Sequence, residues 1–324
     1  MKVIVYLFDA DGEDREIELD KNILSNINDK QLLWVNILER DEATLKKVAS
    51  VLHLENVPLR GVLRVYERPK IYKFADFYHF FIISVETGEG GALRSIPIDF
   101  LVGKNFVVTV HDGDVKYLQD FVRRERGESQ IGELDAESFV ATMLDLHIAS
   151  YFRVLERVEH QVDKMDERIL EKELEDDEFL EQMVDLRREV SKLRRWFLPH
   201  RDLFFTLSRS DFRRIAESDS FESFQQLNEH FESAVDSIES SRDTVLSLFD
   251  LYTTKSSHRM NNAMRRLTFT TLTVGGLGVI AGVFGMNFEV GFFKSAESGF
   301  WMTIGAMAIL AVITASVAYY RRWI

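Results

Sequence analysis

The chain has 324 residues, 46% hydrophobic and 29% charged, with 53 acidic against 40 basic side chains and a formal net charge of −13. That balance argues against a nucleic-acid partner, and no basic-aromatic cluster offsets it. The absence of cysteine excludes disulfides, thiolate metal sites and cysteine nucleophiles.

The apolar start, Met1 to Phe8, meets Asp9 and Asp11 before it reaches signal-peptide length, which predicts a large N-terminal body in the cytoplasm. Its acidity favours cations near its surface and equally serves solubility. Residues 1–130 read as a mixed α/β domain. Lys2–Phe8, Leu32–Leu38, Ile71–Val85, Ile96–Val102 and Phe106–His111 are rich in β-branched and aromatic residues and are predicted strands. Gly103-Lys104-Asn105 supplies the turn between the last two. Asp41–Leu54 carries Leu45, Val48, Val51 and Leu52 at helical spacing behind an acidic start.

From residue 131 the pattern is almost wholly helical. Leu134–Leu174 and Phe179–Phe205 each carry an apolar stripe, the second interrupted by Pro199. The acid-rich run 163–178, followed by Arg187, Arg188, Lys192, Arg194 and Arg195, fits two antiparallel helices with opposite charge on facing sides. Next, Phe224, Leu227, Phe231, Val235, Ile238, Val245, Leu248 and Tyr252 recur with a period of about 3.5, the mark of a coiled-coil-like seam. No Pro or Gly interrupts residues 213–274, so one helix is predicted from Phe221 to Asn287, roughly 100 Å long. Such a helix needs partners, and other copies of itself are the simplest supply.

Two uncharged runs close the chain, Leu267–Phe288 and Phe300–Tyr320, of about 22 and about 21 residues, each enough to cross a bilayer. The short link between them makes the pair a helical hairpin. Arg265-Arg266 before the first span and Arg321-Arg322 after the second place both ends inside. Thr271, Gly275, Gly278, Gly282 and Gly285 recur at alternating spacings of four and three and so share one helix face, with Leu272, Leu277, Ile280 and Phe284 on others. Two readings fit: close helix packing through small residues, or a small face lining a water-filled pore. Asn287, beside Gly285 and Met286 at the outer end of this span, is expensive in lipid and marks a pathway or a packing contact. With a long stalk feeding the inner end, it favours the pore. No Ser/His/Asp grouping, phosphate loop or HExxH motif is evident, so no enzymatic activity is expected.

Met260-Asn261-Asn262-Ala263-Met264-Arg265-Arg266-Leu267-Thr268, leading into Phe284-Gly285-Met286-Asn287-Phe288 between two C-terminal spans, resembles the CorA family of divalent cation channels. Tyr66-Glu67-Arg68-Pro69-Lys70, the run Val102–His111, and Leu193-Arg194-Arg195-Trp196 with Pro199 and Arg201 are similar to further family segments, so the resemblance runs the length of the chain. It implies a funnel-shaped homopentamer in the inner membrane, with an α+β cytoplasmic domain (1–130), long helices and a stalk (131–266) and a transmembrane hairpin (267–324). Both termini would be cytoplasmic. Met264 and Leu267 would form the hydrophobic inner narrowing, and Thr271, Gly275, Gly278 and Gly282 the pore wall. Gly285, Met286 and Asn287 would be the selectivity filter, with Asn287 and Gly285 meeting the metal through its hydration water. The cargo would be Mg²⁺, with Co²⁺ and Ni²⁺ as further ions, and no covalent cofactor is implied.

The chain also departs from the family pattern. Its loop reads Phe288-Glu289-Val290-Gly291-Phe292-Phe293-Lys294 where most magnesium-transporting members carry Met-Pro-Glu. Gly275 and Gly278 stand where the family often has Met and Thr. Gln226 stands where a metal-sensing member has an interfacial Asp, which leaves Asp236, Glu239, Asp243 and Asp250 as regulatory metal ligands or as ordinary solvated acids. A ZntB-like Zn²⁺ transporter therefore remains a second reading. A membrane-anchored scaffold, which would need neither Asn287 nor a glycine face, is a third.

Overall fold

The computed structural model describes residues 3–20, 23–54, 59–63, 68–88, 91–124, 135–170, 177–216, 218, 220–286 and 296–320. Asn287, the loop that follows it, Tyr66, Glu67, Leu134, residues 171–174, Arg321 and Arg322 all lie outside them. The chain divides into two compact units: Met1–Glu167 with Asp176–Ser247, and Arg168–Glu175 with Leu248–Ile324.

In the first unit, β1 (Val3–Asp9), β2 (Arg15–Glu16) and, after α1 (Ile23–Asn26), β3 (Gln31–Ile37) begin a sheet. Then come α2 (Glu42–Val51), α3 (Leu59–Leu63), β4 (Ile71–Lys73), β5 (Tyr78–Thr87), β6 (Leu93–Val102), β7 (Phe106–His111) and α4 (Lys116–Arg124). The seven strands among the described residues lie in the order β2-β1-β3-β7-β6-β5-β4. Only β3 and β7 pair in parallel, and the other neighbours are antiparallel. The run predicted as one strand, Ile71–Val85, is two antiparallel strands, because the chain reverses where the Phe74 N–H meets the Phe77 carbonyl at 2.9 Å. The predicted turn at Gly103 is present, and a Cβ there would lie 2.0 Å from the Phe106 ring, so only glycine fits without rearrangement. Asp41 caps α2, accepting from the Thr44 N–H at 2.9 Å.

β3 is central and covered on both faces, which is why its side chains do not alternate between apolar and polar. Leu33, Val35 and Ile37 join Leu45, Val48 and Val51 of α2 in one core. On the other face Trp34 meets Phe121 of α4 at 5.9 Å between ring centroids and Phe139 at 5.6 Å. Phe139 belongs to α5 (Ala136–Leu170), the first of the long helices.

α6 (Asp177–Phe197) follows, then a 3-10 turn over Leu198–His200 with Pro199 inside it, and α7 (Arg201–Leu207). The turn is pinned to the sheet. Nε2 of His200 accepts the Ile83 N–H at 2.9 Å, its Nδ1–H donates to the Phe197 carbonyl at 2.8 Å, and the Tyr151 hydroxyl donates to the Ile83 carbonyl at 2.8 Å. After α8 (Arg213–Ala216), α9 runs 64 residues from Phe221 to Phe284, and α10 spans Ala296–Tyr320.

The apolar seam on α9 is real, but its partner is the same chain. Phe224, Leu227, Phe231, Val235, Ile238 and Val245 are all buried, with Phe231 stacked on Phe204 at 4.5 Å and tilted on Phe197 at 4.7 Å. Periodicity identifies a buried stripe without identifying what buries it. The basic end of α6 likewise meets α9: Arg194 pairs with Glu239 at 2.6 Å, and Arg201 of α7 with Glu232 at 2.7 Å.

Candidate functional site

The second unit contains the carboxyl half of α9 and all of α10, and each helix includes a stretch long and apolar enough to cross a membrane. These stretches are uncovered in the single chain: Met264 is 60% and Leu267 68% exposed, and α10 shows Phe300, Trp301, Ile309 and Val312. So much contiguous apolar surface is unsuited to water and calls for lipid or further protein.

On α9, Phe269, Thr273, Gly276, Leu277 and Ile280 are half covered, whereas Met264, Leu267, Thr271, Gly275, Gly278, Gly282 and Gly285 are exposed, as are Leu272, Val274 and Val279 on other sides of the helix. A Cβ added at Gly275, Gly278 or Gly282 would meet nothing within 4 Å. The glycines are therefore not explained by close packing inside this chain. The two readings of this face, close packing between helices and a pore wall, therefore both call for further copies of the chain.

The helix ends where the Gly285-Met286 pair begins. The Gly285 N–H still reaches the Ala281 carbonyl at 2.9 Å and also the Gly282 carbonyl at 3.2 Å, and the Met286 N–H closes a tighter turn onto Val283 at 3.3 Å. A Cβ on Gly285 would come within 3.3 Å of the Ala281 oxygen, tight enough to disturb this ending. The carboxyl end of a helix carries the negative end of the backbone dipole and favours a cation beside it. Met286 is half exposed, and Asn287 lies beyond the described residues.

The four acids singled out on α9 do not converge. Glu239 is engaged by Arg194 at 2.6 Å, and Asp243 accepts from Arg242 at 3.1 Å. Asp236 and Asp250 are exposed at separate levels of the helix. Among the described residues, no three His, Asp or Glu side chains of one chain come together as a metal cage.

Two buried charge clusters escaped the sequence reading. Asp99, central in the apolar β6, is buried with Arg40 and accepts from His79 Nε2 at 2.6 Å. Arg40 also donates to the Pro97 carbonyl at 2.8 Å and the Val110 carbonyl at 3.1 Å. Glu137, in the first turn of α5, is buried and accepts from Arg214 Nε at 2.9 Å. A charged residue inside an apolar strand was the available signal for Asp99; nothing local marks Glu137.

A family model described as "CorA-like Mg2+ transporter protein" matches residues 29–319, and the chain belongs to the CorA family. The cobalt/magnesium transport protein CorA of Thermotoga maritima is 26% identical over 298 residues, covering 90% of this chain and 83% of that one. The complete structure of the CorA magnesium transporter of Methanocaldococcus jannaschii superposes with a TM-score of 0.81 at 19% identity, covering 100% of this chain and 99% of that one. The ZntB cytoplasmic domain of Vibrio parahaemolyticus superposes with a TM-score of 0.62 at 11% identity, covering 80% of this chain and all of the domain. At these identities the superpositions show the fold alone: the complete structure matches the α+β domain, the long helix and the two apolar C-terminal helices, and the ZntB domain matches only part of it.

Proposed function

We propose that this chain is a divalent cation channel for Mg²⁺, with Co²⁺ and Ni²⁺ as further cargo, built as a homopentamer in the inner membrane with both termini cytoplasmic. Family membership and the names of the relatives support the ion class. The observation that carries the pathway is the placement of Thr271, Gly275, Gly278, Gly282 and Gly285 on one exposed face of α9, which ends where the helix stops at Gly285-Met286. Residues 1–130 and 131–266 form the cytoplasmic domain and stalk, and 267–324 the transmembrane hairpin.

Mg²⁺ holds its waters in octahedral geometry and dehydrates reluctantly. A ring of Asn287 carboxamides with Gly285 carbonyls below it would hydrogen-bond those waters without stripping them, at the end of α9 where the helix dipole favours positive charge. Neutral ligands keep binding weak enough for release. Thr271, Gly275, Gly278 and Gly282 leave room for a hydrated ion, and Met264 and Leu267 form the apolar constriction that gates by dewetting. Asp236, Glu239, Asp243 and Asp250 would act, if at all, through contacts between copies.

Flux into liposomes, measured for Mg²⁺, Co²⁺, Ni²⁺, Zn²⁺ and, as a monovalent comparison, Na⁺, with and without a proton gradient, tests this reading. Mg²⁺ should pass without the gradient, and Asn287→Ala should lose discrimination against monovalent ions. Unchanged selectivity in Asn287→Ala would remove the filter from the account. Passage of Zn²⁺ alone would replace magnesium by zinc, and no flux of any ion would leave the chain a membrane anchor.

A further inference from the structure

The amino-terminal end of α9 is held by a small polar clasp. Asp135 Oδ1 accepts the Ser138 N–H at 2.7 Å, capping α5, and also the Ser220 hydroxyl at 2.9 Å. The hydroxyls of Ser138 and Ser220 lie 2.6 Å apart, and the Ser220 carbonyl accepts the Phe224 N–H in the first turn of α9. Beside them Arg214, on the short helix just before α9, donates through Nε to Glu137 at 2.9 Å and through Nη1 to the Asp76 carbonyl at 2.8 Å. Glu137 is only 5% exposed, yet it lines an open cavity of about 540 Å³, so protons reach it from solvent.

We propose that this cluster is a proton-operated clasp on the start of α9, which tightens as the pH falls through neutrality. The groups around Glu137 set its direction. Arg214 faces it from α8 and Asp135 from the cap of its own helix; Tyr78 of β5 lies under the Arg214 guanidinium at 5.8 Å; and the Asp29–Lys104 pair lines the same cavity. Burial is the largest influence, Arg214 opposes it and Asp135 adds to it, leaving the carboxyl pushed up to about 7. In an opened clasp the same carboxyl would return to its ordinary value of 4.5. Opening therefore releases a proton and is favoured as pH rises from 4.5 towards 7, where the effect saturates. The ion pair does not make the charged state the tighter one, because desolvation of the carboxylate outweighs it.

Hydrogen exchange on the full chain in lipid nanodiscs, corrected for the chemical exchange rate, tests the clasp at pH 6 and pH 8. In segments 135–142 and 220–230 the wild type should open about tenfold more at the higher pH. Glu137→Gln, neutral at both, should keep the low-pH protection throughout. Loss of protection in Glu137→Gln at pH 8 relative to wild type would show an ordinary structural ion pair and overturn the proposal, as would a wild type indifferent to pH in these segments.

Discussion

At the scale of single residues, the buried charges carry the sharpest consequences. Asp99 balances Arg40 away from water, and neutralising it strands a buried guanidinium. Removing one partner of a buried pair typically costs about 3–5 kcal/mol. Asp99→Asn should lower the unfolding free energy of the full chain in detergent by that order, read from denaturant titration of tryptophan fluorescence; a loss under about 1 kcal/mol would mean that the pair is solvated. Asp99 was legible as an anomaly, an acid between Ile98 and Phe100, but its partner stands 59 positions away. Glu137 and Arg214 are separated by 77 positions, and neither breaks a local pattern. The face of Thr271, Gly275, Gly278, Gly282 and Gly285 was fully legible, because helical spacing alone places residues on one side of a rod.

At the scale of elements, α9 shows what periodicity can and cannot tell. The seam through Phe224, Phe231 and Ile238 was readable, and so was an uninterrupted helix to the end of the first span. That the seam packs against Phe197 and Phe204 was not, since contact between distant segments depends on how β5, α5 and the turn at Pro199 fold together. His200 is the peg of that arrangement, and its burial holds the imidazole down to about 4. A histidine depressed from 6.5 contributes stability that is complete above 6.5 and is lost as pH falls towards 4. Between pH 7 and pH 5 the wild type should therefore lose about 2 kcal/mol relative to His200→Gln, whose amide does not titrate in this range. Denaturant unfolding of both proteins at the two pH values measures this, and a constant difference would show that His200 does not resist protonation.

At the scale of the whole molecule, membership of the CorA family and the bare apolar stretches of α9 and α10 frame the proposed assembly. One chain leaves the Met264–Gly285 face uncovered, and equally the sides that carry Leu272 and Val279; in the proposed pentamer five Met264–Gly285 faces surround the ion path while the remaining surfaces meet lipid or neighbouring helices. The chain has no cysteine, so single cysteines can be introduced without clearing a background. The most direct test places them at Thr271, Gly275, Gly278 and Gly282, and at Leu272 and Val279 as controls, and follows Mg²⁺ flux into liposomes during treatment with a membrane-impermeant thiol reagent. The account predicts modification and block at the four positions of the open face and neither at the controls. Equal reactivity on all sides, or block confined to Leu272 and Val279, would contradict the assignment of this face to the pore.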